Sequence, residues 1–139
     1  MEPIPFPVGE SMERIQWQTA GGHRVLFVDY TGVRPDEWVA LIEAEHRVIS
    51  AEPKQSVLLL SDFTGAKFNP DVARTLDSLG QLHSDRIRAS AVVGPTAVMR
   101  LAMANTGRTA GRRLQPVDTR EEGLRYLAAI ADEAARRAS

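Results

Sequence analysis

Polar and apolar residues strictly alternate near the start of the chain. Ile15, Trp17 and Thr19 take every second position between Arg14, Gln16 and Gln18, the period-two pattern of a strand with one wet face. Gly21-Gly22 follows as a tight-turn signal. Four consecutive apolar residues, Val25 to Val28, come next, and a continuous run suits a strand covered on both faces. A hairpin is therefore expected, with its first strand at a sheet edge. The pattern then switches to helical spacing through Trp38, Leu41, Ile42, Glu45, Val48 and Ile49. Pro35, Asp36 and Glu37 suit the first turn of that helix, and Pro53 stops it.

The stretch "SVLLLSDF" predicts a third, buried strand. Asn69 then caps a helix with Pro70 at its first position and Val72, Leu76 and Leu79 on one face. A fourth strand is expected in "IRASAVVG". Gly94-Pro95-Thr96 opens a third helix, with Val98, Leu101 and Ala102 inward and Met99 and Met103 as packing residues. "GRTAGRR" reads as a basic loop, and "RLQPV" as a short fifth strand that Pro116 confines to an edge. Thr119 and Glu122 form a capping-box pattern ahead of a last helix. Leu124, Leu127, Ala131 and Ala134 face inward on it, and Arg136 and Arg137 sit at its negative end. The order β-β-α-β-α-β-α-β-α predicts one α/β domain with a mostly parallel sheet of four to five strands, the first antiparallel at an edge, and right-handed crossovers.

Composition narrows the class without naming a job. The 139 residues match one domain, and 43% apolar with 25% charged residues is a globular balance. A net charge of −1 argues against a general nucleic-acid binder. With no cysteine, disulfides, thiolate nucleophiles and cysteine-based zinc sites are excluded. No apolar run reaches the roughly 18 residues that span a bilayer. The start, "MEPIPFPVGE", lacks the order of a signal peptide, so a cytoplasmic location is expected. Pro3, Pro5 and Pro7 alternate with Ile4, Phe6 and Val8. This makes residues 1–10 an extended arm, with the domain from 11 to 139.

Candidate chemistry concentrates at the expected carboxyl edge of the sheet. "VDYTG" (28–32) and "SDFTG" (61–65) put Asp29 and Asp62 at matching strand ends, the edge where open α/β sheets bind ligands. Two close carboxylates could hold a divalent cation or divide acid and base roles. In the simpler reading, each Asp accepts hydrogen bonds from its own turn while Thr and Gly supply the bend. No third ligand is visible, so the simpler reading is preferred and no metal or cofactor is expected. His23, His46 and His83 have no metal spacing and read as surface residues. Gly94 and Thr96 at a helix start form a potential anion site, set against a plain glycine turn with a solvated basic loop. Trp17 and Trp38 read as core anchors.

The order of elements, with "VLLLSDFTG", "IRASAVVG" and "VDTREEGLRYL", resembles the STAS domains, the family of bacterial anti-sigma-factor antagonists. The likeness covers roughly residues 12 to 130 and is nearest to the SpoIIAA-like (STAS/SEC14) branch, whose members are mostly uncharacterised. It implies superhelical βα connections and near-sequential strand order. In the regulatory members a partner kinase phosphorylates a serine at the start of the helix after the third strand. Laying "SDFTGAKFNPDVARTL" on that pattern puts Pro70 at the preceding aspartate and Asp71 at the serine. The switch hydroxyl is absent here, and Thr64 is the nearest hydroxyl on the loop.

Three functions remain in view. The first is a non-catalytic STAS-like regulatory module that binds a protein partner or small ligand through Asp29, Asp62, Thr64, Asn69, Asp71, Gly94 and Thr96. The second is a carrier of a small apolar or lipid-like ligand. The third is a small enzyme using Asp29 and Asp62. An edge strand and an apolar arm are compatible with a homodimer.

Overall fold

The computed structural model describes residues 13–67, 69–72, 74–75, 78, 84–94 and 114–138. The hairpin forms as the alternation requires. Strand β1 (Ile15–Ala20) runs antiparallel to β2 (His23–Asp29). Gly21 and Gly22 make the two-residue turn at φ +58° and +83°, a region that glycine enters without steric cost. A single 3₁₀ turn, Pro35–Glu37, leads into α1 (Trp38–Ser50). Strand β3 (Val57–Asp62) lies parallel to β2, β4 (Ile87–Val93) parallel to β3, and β5 (Leu114–Val117) parallel to β4. The sheet order is β1-β2-β3-β4-β5. The last helix, α2, spans Arg120–Ala138.

The long apolar runs are explained by a sheet covered on both faces. Leu26 and Val28 of β2 join Leu59 of β3 in one cluster with Trp38, Leu41, Ile42 and Ile49 from α1. Their neighbours in sequence, Val25 and Phe27, join Leu58 and Leu60 in the other cluster with Leu127 and Ala131 of α2. The register of β4 on β3 shifts between Val57 and Leu58, so Ile87 belongs to the first cluster and Ala89 and Ala91 to the second. Helix α2 approaches closely: a Cβ built on Gly123 would stand 2.6 Å from Leu60 Cδ1. Small residues at 89, 91 and 123 leave room for that approach.

Both expected caps are present. The backbone N–H of Glu122 donates to Thr119 Oγ1 at 3.1 Å, and Glu122 Oε2 accepts from the Asp118 N–H, also at 3.1 Å. Residues 70–72 are helical, and the Val72 N–H donates to Asn69 Oδ1 at 2.9 Å. Loss of this bond in Asn69→Ala is expected to lower stability by about 0.5–2 kcal/mol. A denaturation midpoint that does not move would refute the cap.

Trp38 is fully buried, as expected of a core anchor, but Trp17 is not: it is 37% exposed. Alternation assigns Trp17 to a face of β1, and at the sheet margin that face is incompletely covered. Arg24 lies over its ring, with Cζ 3.9 Å from the centroid. The expected arm (1–10), the Gly-Pro-Thr helix with Thr96, Met99 and Met103, the basic loop, and Leu76, Leu79 and His83 lie outside the described residues. Among the described residues, no helix is long and apolar enough to cross a membrane.

Candidate functional site at the carboxyl edge of the sheet

Asp29 and Asp62 are direct neighbours in the parallel ladder. Each carboxylate first serves its own turn. Asp29 Oδ1 accepts from the Thr31 N–H at 2.9 Å and the Thr31 hydroxyl at 2.6 Å. Asp62 Oδ1 accepts from the Thr64 N–H at 3.0 Å and the Thr64 hydroxyl at 2.6 Å. The repeated Asp-aromatic-Thr-Gly is thus one structural device used twice. The two copies are stacked, since the Tyr30 N–H donates to Asp62 O at 2.8 Å and the Gly32 N–H to Thr64 O at 3.1 Å. The ladder therefore continues past the strands into the loops.

Gly94 extends this stack on the β4 side. The Phe63 N–H donates to Val93 O at 2.9 Å. A Cβ on Gly94 would stand 2.7 Å from Thr64 Oγ1, and the backbone there has φ +67°. Close approach and left-handed backbone together require glycine.

The residue that joins the two carboxylates is Arg120, at the start of α2. Its Nε donates to Asp62 Oδ2 at 2.6 Å, and its terminal nitrogen lies 3.8 Å from Asp29 Oδ1. Its guanidinium carbon sits 4.5 Å from the Phe27 ring centroid. The two aspartates sit side by side in the ladder, and one arginine reaches both carboxylates. Arg14 closes the outer side, with Nη1 donating to the carbonyls of Asp29 and Thr31, each at 3.0 Å.

Burial by itself would raise the Asp62 carboxyl. Hydrogen bonds from the Thr64 hydroxyl and amide, together with Arg120, outweigh burial and hold it below the usual carboxylate range. Asp62 is therefore a fixed anion at neutral pH rather than a proton donor. Asp29 Oδ1 and Asp62 Oδ1 are both engaged by threonine, and Asp62 Oδ2 by arginine. This arrangement suits a rigid loop platform better than a metal cradle or an acid–base pair. Among the described residues, no group of three or more acidic or histidine side chains converges.

Behind the platform stands an aromatic cluster. Tyr30 stacks on Trp38 with centroids 4.8 Å apart at 24°, and Phe63 lies 4.9 Å from Tyr30 and 5.3 Å from Trp38. Burial, and then the Glu45 carboxylate, push the Tyr30 hydroxyl well above its ordinary value, so it stays protonated. Tyr30 and Phe63 each come from the position after a site aspartate, and Trp38 opens α1.

Of the other candidates, Asn69 is a helix cap. Asp71 is exposed on the following turn and pairs with Arg74. A shallow groove of about 260 Å³ runs beside it, bounded by Asp36, Val39, Asn69, Asp71, Val72 and Thr75. Val39 is 46% exposed at its rim. Histidine positions differ from a plain surface reading. His23 is half-buried, with Nε2 2.8 Å from Asp132 Oδ1 on α2, and His46 is also half-buried.

No family model matches the chain, and no curated protein matches it. Solved structures do. A crystal structure of an uncharacterised protein of the DUF3478 family, with a SpoIIAA-like fold, from Shewanella loihica PV-4 superposes with a TM-score of 0.65. It is 13% identical, over 81% of this chain and 91% of that one. An anti-sigma-factor antagonist (STAS) domain protein from Planctomyces limnophilus superposes at 0.53, with 15% identity over 82% and 97% of the two chains. The sequential strand order is the one that the resemblance implied, and the antiparallel first strand is the one that the hairpin pattern predicted.

Proposed function

We propose that this chain, whose fold is SpoIIAA-like, is a non-catalytic cytoplasmic binding module. In this reading a protein partner is recognised by the loops after β2, β3 and β4 and by the adjoining turn at Asp71. The module runs from residue 11 to 139, with residues 1–10 as an arm. The observation that carries the proposal is that Thr31, Thr64 and Arg120 engage Asp29 Oδ1 and both oxygens of Asp62. It argues against a hydrolytic or metal-dependent role for these carboxylates. It also favours a preformed, rigid edge, which lowers the ordering cost of binding a partner. Exposed Thr64 and Asp71 and the groove beside Val39 supply the contact chemistry on that edge.

A carboxylate at position 71 gives one fixed negative charge, against nearly two for a phosphate. Binding in this reading is therefore constitutive, not switched by a serine kinase. Asp71→Lys is expected to weaken capture of the native partner at least tenfold. Because Asp71 is exposed, the same variant is expected to change stability by no more than about 1 kcal/mol. Unchanged capture would remove this turn from the interface. A phosphate mapped to Thr64 in protein from its own cell would overturn the constitutive reading.

A further inference from the structure

The far margin of the sheet carries a different surface. Strand β1 pairs only with β2, so its outer side is open among the described residues. The sense of that opening can be read from one bond. The Asp29 N–H donates to Arg14 O at 2.8 Å, and position 14 faces position 29 in the register that pairs Ile15 with Val28. In an antiparallel ladder, directly opposed residues alternate between bonded and non-bonded pairs. Positions 14, 16, 18 and 20 therefore turn their amides and carbonyls to β2. Ile15, Trp17 and Thr19 turn theirs outward.

Exposed edges are normally blunted by lysine, proline or an inward charge. The sequence of β1, Ile-Gln-Trp-Gln-Thr-Ala, contains none of these. Exposed Trp17 also stands at the middle of the three outward residues, and Arg24 beside it is already paired with Glu52 at 3.4 Å.

We propose that β1 pairs with β1 of a second copy of this chain, antiparallel about a two-fold axis at Trp17, to make one continuous sheet across the dimer. In that register Ile15 faces Thr19 of the other copy, Trp17 faces its own counterpart, and Thr19 faces Ile15. All three are bonded pairs, so every outward amide and carbonyl of β1 is used. A shift of two residues in either direction leaves an outward residue of each strand unpaired within β1. The two indoles meet on one face at about 5.5 Å between Cα atoms, covering the largest exposed side chain of β1. Glu13 falls opposite Gly21, so no like charges meet. The strand carries no charge that would repel its own copy and is complementary to itself in hydrogen bonding and at its one large side chain, which is why a second copy is the occupant.

Two variants separate the edge from the fold. Thr19→Pro removes an outward amide and none of the bonds to β2, and proline is tolerated on an edge strand. Trp17→Lys sets two ammonium groups opposite one another. Sedimentation equilibrium of the full chain is expected to show a reversible rise from one 15.3 kDa mass toward two with concentration. Trp17 fluorescence should shift to the blue over the same range, read against Trp17→Phe to remove the signal of buried Trp38. Each variant is expected to weaken association at least tenfold while keeping the circular dichroism of the parent. A chain that stays monomeric to millimolar concentration overturns the proposal. So does a dimer that both folded variants leave intact.

Discussion

Trp38→Ala is expected to cost about 3–5 kcal/mol, as large aromatic truncations in cores do. That is a large share of the roughly 5–15 kcal/mol that holds an ordinary domain together. Trp38 has no exposed surface and lies against both Tyr30 and Phe63. Its Nε1 donates to Lys67 O at 2.6 Å, and the Lys67 N–H donates to Val33 O at 2.7 Å. Removing the indole leaves a void against Tyr30 and Phe63 of the two Asp-aromatic-Thr-Gly loops and leaves the Lys67 carbonyl without that donor. The damage should therefore extend from the core to the site edge.

Trp38→Phe separates the two contributions. It keeps a ring against Tyr30 and Phe63 but removes the donor, so a smaller loss of about 1–3 kcal/mol is expected. Denaturation followed by far-ultraviolet circular dichroism measures both, since the substitution removes the buried fluorophore and leaves only the exposed Trp17. A Trp38→Ala variant within 1 kcal/mol of the parent would show that the cluster does not support the loops.

Sequence legibility followed the range of the interactions. The Gly-Gly turn, the Asn69 cap and the Thr119 cap are each settled within four residues, and each was readable. The apolar runs of β2 and β3 told that both sheet faces are covered, because alternate residues must then both be buried. The pairing of Asp29 with Asp62 needed only the inference that β2 and β3 are adjacent.

Arg120 was harder, being 58 positions from Asp62. A signal for it did exist. In a parallel α/β sheet, a helix that follows a strand begins at the carboxyl edge, so the first residue of α2 had to lie near the two aspartates. The exposure of Trp17 had no such signal. Periodicity names the face of a strand but not the width of the helix layer covering it. Glu45 fell on the buried stripe of α1 by spacing, but its position beside the Tyr30 hydroxyl depends on how α1 packs against the loop.

The second large effect concerns Asp62, which is only 4% exposed. Asp62→Ala removes the acceptor for the Thr64 amide, the Thr64 hydroxyl and Arg120 Nε together. Hydrogen bonds to charged groups contribute about 1.5–3 kcal/mol each, but Arg120 is half-exposed and recovers water. A total loss of about 2–4 kcal/mol is expected. Asp62→Asn retains an acceptor for the turn and loses the charge, so a loss of about 1–2 kcal/mol is expected.

The pH dependence then isolates the charge. The folded carboxyl of Asp62 lies below its usual range, whereas the unfolded one titrates near pH 3.9. Its stabilisation is thus fully present above about pH 4 and is lost as pH falls through the lower folded value. The gap in stability between the parent and Asp62→Asn should be constant from about pH 5 to 7 and shrink in more acidic solution. Urea denaturation of both proteins at neutral pH, near pH 4 and near pH 2.5 measures it. A gap that stays the same down to the acid limit would mean that shape and hydrogen bonding at Asp62, and not its charge on Arg120, stabilise the edge.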